Sequence, residues 1–240
     1  MYKGRIVSVV IPTYNEEGSI RAVINGFFET GVVDEVVVID NNALGNTKAE
    51  VAKTKARLVE ENEHQGYGAA MMRGLREAVG DLVITCEGDG TFLPNDIHKF
   101  LAYTGEFEAI FGTRTSRAAI WSGAFMPFPV RVGNWAVAKM LEVFHNGPSM
   151  TDVSCSYKLF SRKVLDNIVD LFPLSSGKDA FSIEVMIWVM RRGWQPIEIP
   201  VIYKQRIGIS MYTGESILKA ARIGCKMVYQ VIRYRFILHR

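Results

Sequence analysis

The chain has 240 residues, 48% of them hydrophobic and 22% charged, which is enough for a packed core and excludes a disordered polypeptide. Its three cysteines and four histidines are scattered, so neither a disulfide framework nor zinc-ligand spacing is present, and a reducing cytosolic compartment is expected. Net charge is +3, but residues 214–240 carry +5 and the rest sum to −2, so the core offers no cationic surface for nucleic acid.

The opening "MYKGRIVSVVIPTYNEE" has an apolar run too short for a signal peptide, and no uncharged run approaches the length of a bilayer span. "RIVSVVIP" reads as a buried strand, followed by a helix through "SIRAVINGFFETG". "DEVVVID" is a second strand, with a helix from near Asn46, and "ARLVEE" a weaker third. "GYGAAMMRGLREAVG" is a helix, and "DLVITCE" and "FEAIFGT" are strands on either side of a helix starting near Asn95. Strands and helices alternating at this spacing predict βαβ units, an α/β domain and a mostly parallel central sheet flanked by helices. Further on, "RVGNWAVAKMLEVFH" reads as a helix, "CSYKLFSRKVLDNI" as a strand or turn entering a helix, and "SIEVMIWVMRRG" as a helix. "QPIEIPVIYKQR" is a proline-interrupted strand, and a long helix begins near Glu215.

In open α/β sheets ligands bind beyond the carboxyl ends of the strands. Four polar clusters fall there: Pro12-Thr13-Tyr14-Asn15-Glu16, Asp40-Asn41-Asn42, Glu87-Gly88-Asp89 and Arg114. Two carboxylates, Glu87 and Asp89, on a loop with Gly88 and Gly90 suit a hard divalent cation, Mg²⁺ or Mn²⁺, completed by substrate phosphate and water. The two glycines would keep side chains out of the space where a diphosphate lies. The plainer alternative is a strand-to-helix turn, where Asp and Gly are common.

The ordered series "VVIPTYNEE", "VVVIDNN", "HQGYGAAMMRGLREAVGD", "EGDGTFLPND", "GTR", "DVSCSYKLFSRKVL", "SIEVMIWVMRRG" and "IEIPVIYKQRIGIS" resembles family-two glycosyltransferases. Among them it is most similar to the polyprenol-phosphate sugar synthases, over about residues 5–212. The resemblance implies a glycosyltransferase-A fold, an NDP-sugar donor, a divalent metal, and inversion at the anomeric carbon. It implies that Pro12, Tyr14, Glu16, Asp40 and Gly66 serve the nucleotide-sugar pocket with Glu87, Gly88 and Asp89. Asp89 is the implied metal ligand, assisted by Glu87. Arg114, Arg131 and Arg206, with Ser210, are the implied phosphate and acceptor contacts. Glu87 stands where the family has Asp, Thr91 where many relatives have Gln, and Asn41-Asn42 where an acid-glycine pair is common, which leaves the donor open between UDP- and GDP-hexoses.

A phosphate acceptor is already ionised near neutral pH and needs arginines to hold it, whereas a hydroxyl acceptor needs a general base. Arg114, Arg117, Arg131 and Arg206 favour the phosphate; Asp152, Asp179 and Glu184 are the candidate bases for a hydroxyl. A dinucleotide-binding oxidoreductase reading of "GYGAAM" is a weaker alternative, because Met71 stands where the third glycine would. A non-catalytic nucleotide-sugar-binding membrane adaptor is another alternative.

The expected organisation is a catalytic domain over 1–213, with a nucleotide-sugar half to 114 and an acceptor half from 115, then a basic amphipathic helix over 214–240. At ~100° per residue, Ile217, Ala221, Cys225, Val228, Val231 and Ile232 share one face of that helix. Lys219, Arg222, Lys226 and Arg233 fall within roughly 60° on the other side. That pattern suits a helix lying at the cytoplasmic face of a membrane, as does the uncharged "AAIWSGAFMPFPV" between Arg117 and Arg131. The same helix could instead dock on the catalytic domain or pair two copies of the chain.

Overall fold

The computed structural model describes residues 1–43, 45–171, 181–208 and 216–236. Five strands come from the first half: β1 (Val7–Thr13), β2 (Glu35–Asp40), β3 (Arg57–Glu60), β4 (Leu82–Thr85) and β5 (Ala109–Thr113). They alternate with α1 (Ile20–Glu29), α2 (Thr47–Ala52), α3 (Tyr67–Glu77) and α4 (Ile97–Ala102). The second half adds α5 (Phe128–His145), β6 (Lys158–Ser161), α6 (Arg162–Ile168), α7 (Phe181–Arg191), β7 (Ile197–Pro200) and α8 (Ile217–Phe236).

The strands form one seven-stranded sheet in the order β3-β2-β1-β4-β6-β5-β7. Only β6 runs antiparallel to its neighbours; it lies between β4 and β5 and so ties the two halves into one sheet. The short strand and its following helix had been readable in "KLFSRKVLDNI", whereas its insertion between two parallel strands is not a local property of that segment.

Both faces of the sheet are covered, which is why its strands read as near-continuous apolar runs. Val9, Ile11, Val36, Val38, Leu82 and Ile84 pack against α1 and α4 through Ile20, Ile24, Phe27 and Phe100. Val10, Val37, Ile39, Val83, Phe111 and Phe160 face α3, α5, α6, α7 and α8. In α1 the buried residues Ile20, Val23, Ile24 and Phe27 repeat at three- and four-residue spacing, the stripe a helix needs to sit on a sheet.

The last helix does not stand apart. Met227, Val231 and Tyr234 are buried against α5 and α7, with the Tyr234 ring edge-on to Trp188 at 5.5 Å. His145 of α5 also bonds to the Val231 carbonyl at 3.0 Å. This shifts the expected apolar face: Val231 is buried and Val228 packs on the core, whereas Ile217, Ala221, Cys225 and Ile232 are exposed to one side of the docked face. Lys219, Arg222, Lys226 and Arg233 are exposed as a ridge along the same helix. Among the described residues, no helix is long and apolar enough to cross a membrane.

Candidate active site

The carboxyl ends of β1 and β4, the start of α3 and the segment after β7 enclose a cleft of about 330 Å³. Pro12, Tyr14, Glu16, Gly66, Glu87, Gly88, Asp89 and Arg206 line it, all of them expected nucleotide-sugar or phosphate residues. Thr13, Asn41, Gln65, Tyr67 and Ala70 complete the wall. Gln65 was not singled out from sequence, although it follows β3 just as the other polar clusters follow their strands.

Asp89 is 1% exposed and rigidly held. Its Oδ1 accepts hydrogen bonds from the Thr91 amide at 2.9 Å and the Thr91 hydroxyl at 2.6 Å. Its Oδ2 meets Nη2 of Arg206 at 2.6 Å, and the same nitrogen lies 3.4 Å from Oε2 of Glu87. Desolvation, then the charge of Asp89, push the Glu87 carboxyl well above its ordinary value, and Arg206 partly offsets them. The two acids and one guanidinium therefore form one compact, coupled cluster.

That cluster fits a divalent cation. Asp89 Oδ2 is a buried carboxylate oxygen that makes no well-aligned hydrogen bond, and the Arg206 guanidinium already sits 2.6 Å from it. Among the described residues, no group of three or more His, Cys, Asp or Glu converges. A metal held by Asp89 and Glu87 would thus take its other ligands from substrate and water, as Mg²⁺ commonly does.

The glycines act differently from expectation. A Cβ on Gly88 would lie 2.8 Å from Ile20 Cδ1 and 3.2 Å from Ile11 Cγ2, so glycine here permits close packing of the loop on α1 and β1. The Ser19 hydroxyl, donating to the Gly88 carbonyl at 2.7 Å, fastens the same contact. Gly90 has φ of +77°, the left-handed turn that sends the chain on to Thr91.

Glu16 turns back on its own loop: Oε2 accepts from the Thr13 hydroxyl and from the amides of Tyr14 and Asn15 at 2.6–2.8 Å. It shapes the wall and holds Tyr14 in place. Asn41 does the same across the cleft, donating to the Glu61 and His64 carbonyls and accepting from the Gly66 amide at 2.6 Å.

Other expected residues lie elsewhere. Asp40 is fully buried behind the wall; its Oδ1 accepts from the Ala43 amide and its Oδ2 pairs with Lys48 at 2.7 Å. Asn41, rather than Asp40, faces the cleft. Arg114 is buried too, with Nε and Nη2 joined to Asp152 at 2.9 and 3.0 Å and Nη2 also bonded to Ser154. This corrects two roles at once, because the Arg114 fork is filled and Asp152 is fixed as its counter-ion. Burial acts to raise the Asp152 carboxyl, but the Arg114 charge and hydrogen bonds outweigh it and hold the group below its ordinary value.

Glu184 is a further correction. It is completely buried on α7, beside the Tyr234 phenol, and is not part of the cleft wall. Arg131 sits in the first turn of α5, partly exposed, 6.0 Å from the centre of the Phe128 ring, and Arg117 is exposed. Ser210 and Asp179 lie outside the described residues.

The segment 118–130 is mixed. Ala119 and Met126 are buried, while Trp121 and Phe128 are 51% and 71% exposed. Trp121 is tied to the segment after β7: its amide donates to the Tyr203 carbonyl and Lys204 Nζ lies over its ring at 5.4 Å. Val132 and Trp135 continue the exposed apolar strip along α5.

The chain is 28% identical to a dolichyl-phosphate hexose transferase of Haloferax volcanii over 204 residues, 84% of each protein. It is also 28% identical to the low-salt glycan biosynthesis hexosyltransferase Agl6 of the same organism, over 84% of this chain but 48% of that longer protein. Crystal structures of glucosyl-3-phosphoglycerate synthase from Mycobacterium tuberculosis share the fold. The complex with Mn²⁺, UDP and phosphoglyceric acid has a TM-score of 0.73 at 18% identity, covering 98% of this chain and 80% of that one. The complex with Mn²⁺, UDP-glucose and phosphoglyceric acid has a TM-score of 0.72 at 19% identity, covering 98% and 82%. Residues 8–169 match glycosyl transferase family 2, and the chain belongs to that family: it is a glycosyltransferase with a glycosyltransferase-A fold.

Proposed function

We propose that the enzyme transfers a hexose from a UDP- or GDP-sugar to the phosphate of a polyprenyl phosphate, with inversion, at a membrane surface. The observation that carries this reading is the cluster of Asp89, Glu87 and Arg206 at the end of β4, inside a cleft of nucleotide size. The name of one Haloferax volcanii relative, a dolichyl-phosphate hexose transferase, supports a lipid-phosphate acceptor, and the Mn²⁺ and UDP of the structural neighbours support a metal and favour UDP.

Asp89 and Glu87 would hold Mg²⁺ or Mn²⁺. When bound, that ion supplies a Lewis acid that neutralises charge on the departing diphosphate. Thr91 fixes the Asp89 carboxylate so that one oxygen faces the cleft. Pro12, Tyr14, Asn41, Gln65 and Gly66 offer a wall for the nucleotide, and Arg206 offers a guanidinium for phosphate. A phosphate acceptor needs no proton removed by a carboxylate, which agrees with Asp152 and Glu184 both being buried outside the cleft.

The exposed strip of Trp121, Phe128, Val132 and Trp135 supports an acceptor with a hydrocarbon chain. The basic ridge of α8 supports placement on an anionic surface. Radiolabelled UDP-glucose and GDP-mannose, each offered with Mn²⁺ to undecaprenyl phosphate, dolichyl phosphate, 3-phosphoglycerate and a sugar alcohol, test the proposal. Transfer to a lipid phosphate is expected. Preferential transfer to 3-phosphoglycerate or to the alcohol overturns the acceptor assignment.

A further inference from the structure

We propose that Arg206 is an internal counter-ion that occupies the acid pair while no metal is bound, and that a divalent cation displaces it into the cleft as a phosphate-binding group. One event would then load the metal and deliver the guanidinium. The inference rests on the metal reading above.

Asp89 is the fixed partner. Thr91 anchors its Oδ1, so Oδ2 cannot rotate away from the cleft. An ionised carboxylate oxygen that is buried needs a cation beside it, and Arg206 provides one. The backbone that carries Arg206 is fixed as well: the Lys204 amide donates to the Thr91 carbonyl at 2.8 Å, and the Ile207 amide to the Asp89 carbonyl at 3.0 Å. The Arg206 side chain, 26% exposed, has room to move where Asp89, 1% exposed, does not.

Its hold on the acids is also the weaker kind. Arg114 grips Asp152 with two nitrogens on two oxygens, the arrangement in which an arginine is hardest to displace. Arg206 instead stretches one nitrogen, Nη2, between two different carboxylates at 2.6 and 3.4 Å. A compact divalent ion satisfies both acids better than a shared N–H does.

The charges make the exchange useful. With Arg206 in place, its guanidinium is taken up by the acid pair and offers no free positive charge to a nucleoside diphosphate. With a divalent ion on the acids and the guanidinium turned outward, the same groups present a net positive charge. Metal and diphosphate binding are therefore positively coupled, and by linkage each strengthens the other equally.

Titration of Mn²⁺ alone, followed by calorimetry and by the loss of free Mn²⁺ signal in electron paramagnetic resonance, tests this in the wild type, Arg206→Gln and Arg206→Lys. Arg206→Gln should bind Mn²⁺ more tightly than the wild type, by about tenfold, because the competing cation is gone. The same variant, saturated with Mn²⁺, should bind UDP more weakly. Arg206→Lys should bring Mn²⁺ affinity back toward the wild-type value without restoring UDP affinity, since lysine keeps the charge but not the fork. Circular dichroism melting confirms that the variants are folded. Mn²⁺ affinity that is unchanged or weaker in Arg206→Gln, with the wild type binding Mn²⁺ measurably, overturns the exchange. If neither wild type nor variants bind Mn²⁺, with or without UDP, the metal reading itself fails.

Discussion

The Arg114 guanidinium and the Asp152 carboxylate close a buried two-point ion pair, at 2.9 and 3.0 Å, beyond the end of β5. The Arg114 amide also donates to Asp152 at 3.0 Å, so the carboxylate fixes the backbone of the strand end as well as its side chain. Such a pair is costly to break from one side, because the remaining charge stays buried. Asp152→Ala should lower stability by about 3–5 kcal/mol, read from urea denaturation, whereas Arg114→Met with Asp152→Leu should cost much less. The pair's stabilisation is present above the ordinary aspartate value of 3.8 and is lost as pH falls through the depressed folded value. An Asp152→Asn enzyme of unchanged stability but greatly reduced turnover would restore the base role.

Asp89 and Glu87 should respond unequally to truncation. Asp89 is buried and braced by Thr91, whereas the Glu87 side chain is 27% exposed and 3.4 Å from its partner. Asp89→Ala should lower transfer by roughly a thousandfold, the scale of several kcal/mol of lost charge stabilisation. Glu87→Ala should act in the same direction but less severely. Treatment with EDTA should abolish transfer and added Mn²⁺ restore it; full activity after EDTA sinks the metal role.

The parallel strands were legible in the sequence because strands covered on both faces must be apolar throughout, as "VVIP", "VVVI" and "LVIT" are. Their polar ends then located the cleft. The partners of those ends were harder to read. Arg114 meets Asp152 across 38 residues, through a strand insertion that leaves no local mark on either residue. Asp40 and Asn41 are adjacent, and only the direction of the last strand residue decides that Asp40 turns inward to Lys48 while Asn41 faces the cleft. In α8, helical periodicity revealed amphipathicity but centred the stripe to one side of the docked face, which it shares only at Val228 and Val231. The helix has apolar residues over more than half its circumference, and the docked side is set by where Trp188 and α5 lie.

Lys158 should leave a signature in the alkaline stability profile. It is 2% exposed at the start of β6, bonded to the Cys155 carbonyl and to Ser182 at 2.7 Å, with no carboxylate in contact among the described residues. Burial lowers its ammonium from an ordinary 10.5 to about 8. Between those values the unfolded chain binds a proton that the folded chain has released, so stability attributable to this lysine should rise with pH. Subtracting the profile of Lys158→Met isolates that rise from other groups. A flat difference between pH 8 and 10.5 would mean that the lysine keeps its proton through its two oxygen partners.

The two sides of α8 should separate experimentally. Met227, Val231 and Tyr234 are buried against α5 and α7, so removing the whole helix would expose the core and confound any membrane assay. Met227→Ala should instead cost about 2–5 kcal/mol of stability and leave vesicle binding intact below its melting temperature. Outside that contact, Leu218, Tyr229 and Phe236 are 84%, 61% and 76% exposed, beside the ridge of Lys219, Arg222, Lys226 and Arg233. Each basic residue near an anionic surface is worth about 1 kcal/mol. Lys219→Glu with Arg222→Glu should therefore release the protein from phosphatidylglycerol vesicles in flotation while melting and UDP binding stay unchanged. Leu218→Asp with Phe236→Asp should do the same through the apolar side. If both pairs still float with the vesicles, the membrane assignment of α8 falls. A change in sedimentation from dimer to monomer would assign the exposed face to a second copy of the chain.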